Sequence, residues 1–178
     1  VDRLLDKCEA CEPDLVGFAN YTWNERLNAF AGGRLRKRFP ELPIIMGGPN
    51  IEIDEKGIGE FLGRYSFIDM YCMYNGEISF SDIIRYCLES PTKKNRVEML
   101  RSASIPGVYS LVQGNLSGSP STNKDNSLDF IPSPYVSGIL DPFLKDGFIP
   151  LIETNRGCPF LCTFCVWGVA ALNKIQKF

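Results

Sequence analysis

Three cysteines near the carboxyl end of the sequence have a spacing that suits metal chemistry. Cys158, Cys162 and Cys165 form a CxxxCxxC pattern. Three thiolates on one loop can hold three irons of a 4Fe-4S cluster, which leaves the fourth iron without a protein ligand and open to a substrate. The sequence has no histidine, which excludes a His-ligated metal or a His general base within these residues. The spacing therefore predicts an iron-sulfur site.

Two other interpretations of this pattern remain open. A structural zinc site normally has four protein ligands, so its fourth ligand here would be a distant cysteine or an acid. The three cysteines could also be unrelated buried side chains. Metal content separates these interpretations, because a cluster requires about four irons.

The other four of the 7 cysteines are assigned no chemistry. Cys8 and Cys11 form a CxxC pair, which is a redox motif in some proteins. They lie inside a predicted helix and not at a helix start, so packing on the helix face is favoured. Cys72 and Cys87 follow apolar periodicity and are predicted to be small buried hydrophobes.

The elements that position these residues are predicted from a unit that occurs three times. Strands are expected at 14–19, 44–46 and 67–73, their following loops at 20–24, 47–50 and 74–77, and the helices after them at 25–39, 55–62 and 80–88. Such repeats imply right-handed crossovers and a parallel sheet. Ligands of these sheets bind beyond the carboxyl ends of the strands, where the three loops meet.

The pattern changes after Lys93. An edge strand is expected at 105–112, and the polar stretch 114–127 is expected to be a loop or linker because it cannot bury a core. Residues 131–145 contain several prolines and one short helix, and a brief strand at 151–154 leads into the cysteine loop.

Composition limits the partners. The 178 residues carry a net charge of -2, which argues against a broad basic surface for nucleic acid or anionic lipid. No apolar run approaches the roughly 20 residues that span a bilayer. We therefore expect a cytoplasmic protein that binds small molecules, with no nucleic acid and no membrane partner.

Two parts of the sequence resemble one known family. The segment IETNRGCPFLCTFCVWG, followed by NKIQKF, resembles the start of the radical S-adenosylmethionine (SAM) enzymes, whose CxxxCxxC loop follows the first strand of an α/β barrel. The loops NYTWN, GGPN and YNGE and the segment IPSPYVSGILD resemble the subgroup with an amino-terminal cobalamin-binding domain. The matched parts cover nearly the whole sequence.

The resemblance implies a role for each matched residue. Cys158, Cys162 and Cys165 bind the cluster, and its open iron takes the amino and carboxylate groups of SAM. Phe164 lies near the adenine. For cobalamin, the implied contacts are Tyr21 and Thr22 near the corrin, Gly47 and Gly48 beside the nucleotide tail, and Gly76 and Glu77 on the next loop.

Simpler explanations of the cobalamin residues stay open. Gly47 and Gly48 could belong to an ordinary turn, Thr22 could be a helix-capping neighbour, and Glu77 could be a first-turn acid favoured by the helix dipole.

The resemblance also defines the fold class. We expect an α/β protein with a Rossmann- or flavodoxin-like parallel sheet of the cobalamin-binding type at 1–92, a connecting region at 93–147, and the first strand and cluster loop of a radical SAM barrel at 148–178. A full barrel needs about 200 or more residues. We therefore expect the barrel to be truncated, the first domain to be amino-terminally incomplete, and this chain to be inactive alone.

The predicted function is that of a cobalamin-dependent radical SAM enzyme. The resemblance implies cleavage of SAM to methionine and a 5'-deoxyadenosyl radical, most often for methyl transfer to an unreactive carbon. It also implies an electron donor such as a flavodoxin or ferredoxin, and a small-molecule or peptide substrate that the sequence does not identify. The alternative is a non-catalytic, flavodoxin-like binding module whose three cysteines hold a structural metal.

Overall fold

The computed structural model describes residues 1–73, 76–90, 95–120, 129, 131–165 and 175–177. These residues fall into two units, Val1–Thr122 and Asn123–Phe178, and each is described by itself. Within the described ranges, no helix is both long and apolar enough to cross a membrane.

The first unit contains one five-stranded sheet with helices on its faces. Its elements are α1 (Asp2–Cys11), β1 (Val16–Ala19), α2 (Glu25–Arg38), β2 (Ile44–Gly47), α3 (Glu55–Arg64), β3 (Met70–Cys72), α4 (Gly76–Glu89), α5 (Arg96–Ser102), β4 (Val108–Val112) and β5 (Asn115–Gly118). The strands lie in chain order across the sheet. Strands β1, β2 and β3 are parallel, whereas β4 and β5 are antiparallel to their neighbours. The predicted α/β fold with three strand-loop-helix units is therefore confirmed.

The end of the sheet differs from the prediction. Strand β4 lies between β3 and β5 and is not an edge strand, and residues 115–118 form the edge strand β5 instead of a linker. Gln113 and Gly114 both have positive φ, 51° and 82°, which is the conformation of a two-residue type I′ hairpin turn. The polar composition of this stretch concealed the hairpin, because an edge strand needs little apolar surface.

Two apolar clusters cover the two faces of the sheet. One contains Leu35, Ile44, Met46, Ile58, Leu62, Phe67 and Tyr71, and the other contains Ile45, Met70, Cys72, Ile83, Cys87, Leu100 and Val108. Alternate residues of a strand point to opposite faces, so Ile44 and Ile45 belong to different clusters.

Helix α2 buries only part of the apolar stripe that its spacing indicates. Ala31 and Leu35 are buried as expected, but Leu27 and Phe30 are 61% and 59% exposed, and Asn28 and Gly32 are buried beside them. The Asn28 side-chain amide donates to the Ala19 carbonyl at 2.8 Å, which explains a buried polar residue here. A Cβ at Gly32 would lie 2.2 Å from the Phe67 ring, so the glycine permits close packing.

A buried carboxylate holds the amino ends of β2 and β3. Asp69 is 0% exposed and accepts hydrogen bonds from the backbone N–H of Ile44 at 2.7 Å and from Nε of Arg101 at 2.9 Å. It also pairs with Arg36 of α2. One side chain therefore joins the sheet to helices on both of its faces.

The second unit is described only in part. It contains α6 (Asp141–Lys145) and a two-residue antiparallel pair, β6 (Asn155–Arg156) with β7 (Gln176–Lys177). The strand predicted at 151–154 is wrong, because these residues form no strand with any described residue and β6 begins at Asn155, after the end of the predicted strand. Barrel structure in this unit stays a prediction.

Candidate functional site

A cleft of about 450 Å³ lies at the carboxyl ends of the three parallel strands. It is lined by Gly17, Phe18 and Ala19 of β1, Ile45, Met46, Gly47 and Gly48 at β2, Cys72 of β3, and Gly76, Glu77 and Phe80 of α4. Its volume falls in the range of about 300–1,000 Å³ that is usual for small-molecule sites. Its place at the strand ends is where ligands bind to sheets of this type.

Small side chains leave this space open. Gly17 pairs with Ile45, and Ala19 pairs with Gly47, on the face of the sheet that α4 covers. A Cβ at Gly17 would have one neighbour within 4 Å, the tip of the Phe80 ring at 4.0 Å. Larger residues at these positions would fill the cleft.

Gly47 and Gly48, which the resemblance predicts to approach a cofactor, both line the cleft. Contacts within the chain also favour glycine at these two positions. Gly48 has a φ of 126°, and a Cβ there would lie 2.4 Å from the carbonyl oxygen of Asn20. A Cβ at Gly47 would lie 3.3 Å from the Cys72 carbonyl oxygen. Gly47 ends β2, Gly48 begins the bend that follows it, and the close approach that explains Gly48 is to Asn20.

Gly76 and Glu77 begin helix α4 and line the same cleft. A Cβ at Gly76 would meet nothing within 4 Å, so the space beside it is open. Glu77 is exposed in the first helical turn, where the helix dipole favours an acid. The first two residues of the predicted YNGE loop, 74 and 75, lie outside the described residues.

Tyr21 and Thr22 lie on the loop after β1 and are not among the residues that line the cleft. Both are exposed. The Tyr21 ring stacks on the ring of Trp23, with centroids 4.5 Å apart and planes 10° apart. Trp23 is 78% exposed, and sequence reasoning did not select it. The sequence feature that could have identified Trp23 is a tryptophan in a polar loop directly after a predicted strand.

Asn20, the first residue after β1, is 0% exposed and binds the turn after β2. Its backbone N–H donates to the Gly47 carbonyl at 2.6 Å, and its side-chain amide donates to the Asn50 carbonyl at 2.7 Å. The same amide donates to the Tyr71 hydroxyl at 3.2 Å, which in turn donates to the Gly48 carbonyl at 2.7 Å. Sequence reasoning missed this function of Asn20.

A carboxylate extends these contacts toward α2 and α3. Glu25 accepts hydrogen bonds from the Asn50 side chain at 2.9 Å and from the Tyr65 hydroxyl. The hydrogen bond from Tyr65 lowers the pKa of Glu25, and the same bond raises the pKa of Tyr65. Burial raises the pKa of Tyr71 to about 12, so its hydroxyl stays protonated as a donor.

The three cysteines of the CxxxCxxC pattern lie on the loop after β6. Their thiols are free, Cys162 is exposed, and the Cys165 N–H donates to the Cys162 carbonyl at 3.1 Å. Among the described residues, the structure gathers no group of three or more cysteine or acidic side chains able to hold a metal. The type of donor suits a cluster, but the described geometry does not bring the three sulfurs together. Phe164 is 91% exposed.

Three of the remaining four cysteines have the expected packing, and Cys11 does not. Cys8, Cys72 and Cys87 are buried, and Cys11 is exposed. Burial raises the pKa of all three buried thiols, that of Cys72 to about 12. These thiols are poor nucleophiles at neutral pH.

Comparison with known proteins identifies relatives of the chain, although no family model matches it. It is 28% identical over 173 residues to the cobalamin-dependent radical SAM methyltransferase TokK of Streptomyces tokunonensis. It is 29% identical over 175 residues to 2-(S-pantetheinyl)-carbapenam-3-carboxylate methyltransferase of Streptantibioticus cattleyicolor. Each match covers 94% of this chain and 24% of the relative, so the chain spans about a quarter of their length.

A solved structure shows the same fold. The cobalamin-dependent S-adenosylmethionine radical enzyme OxsB, with aqua-cobalamin and S-adenosylmethionine bound, matches with a TM-score of 0.67 and 19% identity. The match covers 99% of this chain and 23% of OxsB. The resemblance that the sequence predicted is therefore confirmed: over nearly its whole length, the chain is similar in sequence to part of a cobalamin-dependent radical SAM methyltransferase and similar in fold to part of OxsB.

Proposed function

We propose that the chain is part of a cobalamin-dependent radical SAM enzyme that transfers a methyl group to an unreactive carbon. The observation that carries this proposal is the cleft at the strand ends: Gly47, Gly48, Gly76 and Glu77 all line it, in a chain whose relatives are named methyltransferases, one of them cobalamin-dependent and radical SAM. The sequence predicts cobalamin contact for the same four residues.

In the proposal, the cleft holds the nucleotide tail of cobalamin. Gly17 and Ala19 make room for the tail, and Phe80 provides an apolar wall that excludes water. The cleft is too small for a whole corrinoid, so the corrin lies outside it. The exposed Tyr21–Trp23 pair offers a flat apolar surface for the corrin, and Thr22 lies beside it on the same loop.

We assign Cys158, Cys162 and Cys165 to the 4Fe-4S cluster and Phe164 to the adenine of SAM. A cluster held by these cysteines would supply the electron for the cleavage of SAM that the family resemblance implies. The residues of this chain hold the cofactors and exclude water, since such cofactors carry the difficult chemistry. The electron donor, such as a flavodoxin or ferredoxin, and the cytoplasmic location stay predictions.

The cluster assignment is tested by anaerobic reconstitution of the full-length protein with iron and sulfide. We expect about four irons per chain and, after reduction, an electron paramagnetic resonance signal that changes when SAM is added. Cys162→Ala should abolish the signal, whereas Cys11→Ala, the matched change at an exposed cysteine outside the motif, should retain it. Tightly bound zinc, or no metal, would support a non-catalytic binding module instead.

The cleft assignment is tested by titration of the full-length protein with hydroxocobalamin, followed by visible absorption. Gly17→Leu places a large side chain in the cleft and should reduce the affinity at least tenfold. Gly63→Leu is the control, because Gly63 is exposed on α3 and a Cβ there meets nothing within 4 Å. Equal affinities of the two variants would contradict the assignment.

A further inference from the structure

We propose that Asn20, acting with Tyr71, is a positioning residue for cobalamin: it holds the turn at residues 47–50 in the shape that forms one wall of the cleft. This inference rests on the proposed function and names the residues of this chain that prepare its site.

Asn20 binds the turn from its first residue to its last. It contacts the Gly47 carbonyl through its own N–H, and it contacts Asn50 twice, by accepting from the Asn50 N–H at 3.4 Å and by donating to the Asn50 carbonyl at 2.7 Å. Tyr71 fixes the residue between them, because its hydroxyl donates to the Gly48 carbonyl at 2.7 Å. Together these two residues restrain both ends and the middle of the turn.

Asn20 does not line the cleft itself. Neither Asn20 nor Tyr71 is among the lining residues, whereas Gly47 and Gly48, whose carbonyls these two residues contact, both are. They therefore reach a ligand in the cleft only through Gly47 and Gly48.

The fit between Asn20 and the turn is tight. A Cβ on Gly48 would lie 2.4 Å from the Asn20 carbonyl oxygen and 2.9 Å from its nitrogen. The turn thus cannot move toward Asn20, and the hydrogen bonds prevent it from moving away. Such restraint lowers the cost of binding, because the wall of the cleft needs no reordering when a ligand enters.

The side chain of Asn20 is held by its amide N–H groups. Its oxygen Oδ1 is buried and has no hydrogen-bond partner among the described residues, whereas Nδ2 donates both to the Asn50 carbonyl and to the Tyr71 hydroxyl. Removal of this side chain therefore removes those two contacts and no other side-chain hydrogen bond of Asn20 among the described residues.

The test compares three variants of the full-length protein. Asn20→Ala removes the side-chain contacts, and Tyr71→Phe removes one hydroxyl with almost no change of shape. Arg101→Ala is the control for lost stability, because it removes two contacts to the buried Asp69 at the opposite, amino-terminal edge of the sheet. Each protein is titrated with hydroxocobalamin, and its melting temperature and the amide hydrogen exchange of residues 47–50 are measured without cobalamin.

We expect Asn20→Ala and Tyr71→Phe to weaken cobalamin binding at least tenfold, which corresponds to about 1.4 kcal/mol. Amide exchange at residues 47–50 should accelerate in both. Arg101→Ala should lower the melting temperature at least as much as Tyr71→Phe and leave the affinity within about twofold of the parent.

Three results would overturn the inference. The first is parental affinity in Asn20→Ala and Tyr71→Phe, and the second is a loss of affinity that follows the melting temperature equally in all three variants. In both cases the parent still binds cobalamin, so the proposed function stands. The third is a parent that takes up no cobalamin, which overturns the proposed function and this inference together.

Discussion

Replacement of Gly48 by alanine tests whether the turn at the cleft is fixed by the protein itself. The φ of 126° is a conformation that residues with a Cβ rarely adopt, and holding such a residue there costs about 1–3 kcal/mol. The added Cβ would also lie 2.4 Å from the Asn20 carbonyl oxygen. Overpacking of this kind typically destabilises the folded state by a further 1–3 kcal/mol or so.

These two costs predict that Gly48→Ala lowers the free energy of unfolding by about 2–6 kcal/mol. Since 1 kcal/mol shifts the melting temperature by roughly 2–4 °C in a protein of this size, we expect a decrease on the order of 10 °C. The assay is thermal unfolding of the purified protein, followed by circular dichroism.

The matched control is Gly63→Ala in helix α3. A Cβ at Gly63 meets nothing within 4 Å, and alanine is favoured over glycine in a helix by about 1 kcal/mol. The control should therefore melt at the same temperature as the parent or slightly higher. If Gly48→Ala melts within about 1 °C of the parent, the strain argument for this turn is wrong.

Three further changes test other parts of the fold. Asp69→Asn should destabilise by about 3–5 kcal/mol, since it leaves two arginines beside an uncharged buried group, and urea unfolding measures this loss. Cys11 should react with iodoacetamide at pH 8 long before Cys72, whose pKa burial raises to about 12, and mass spectrometry identifies the modified residue; faster labelling of Cys72 would contradict its burial. The lowered pKa of Glu25 means that its ionised form stabilises the fold above its ordinary pKa of 4.5 and that this contribution is lost as the pH falls through the lowered value. The stability difference between the parent and Glu25→Gln should therefore disappear in acid, and a difference independent of pH would count against the contact with Tyr65.

The sequence predicted the part of the fold that depends on strong local signals. The three parallel strands are short apolar runs that lead into polar loops, and their carboxyl ends meet as expected. Gly47 and Gly48 follow one predicted strand, and Gly76 and Glu77 follow the next. The carboxyl ends of parallel strands lie at one edge of the sheet, so these two loops are expected to meet. All four residues line one cleft in the structure.

Other features depend on contacts that no local pattern reveals. Asn28 faces inward because its amide reaches the Ala19 carbonyl, whereas Leu27 faces solvent. The Gln113–Gly114 hairpin leads from the apolar strand β4 into β5, whose sequence NLSG has little apolar surface, so the polar composition of β5 suggested a linker. Asn20 was overlooked because its partners are 30 and 51 residues away in the sequence.

The glycines at the cleft are expected to differ in how they evolve. Gly48 is required by its positive φ and by the backbone of residue 20, because the atoms that a Cβ would meet are the Asn20 carbonyl oxygen, nitrogen and carbonyl carbon. No side chain at position 20 could therefore compensate for a substitution of Gly48. A Cβ at Gly76 would meet nothing within 4 Å, and one at Gly17 would meet the tip of the Phe80 ring at 4.0 Å. In a lineage that lost the ligand proposed for the cleft, Gly17 and Gly76 should therefore vary early, while Gly48 persists whatever residue stands at position 20.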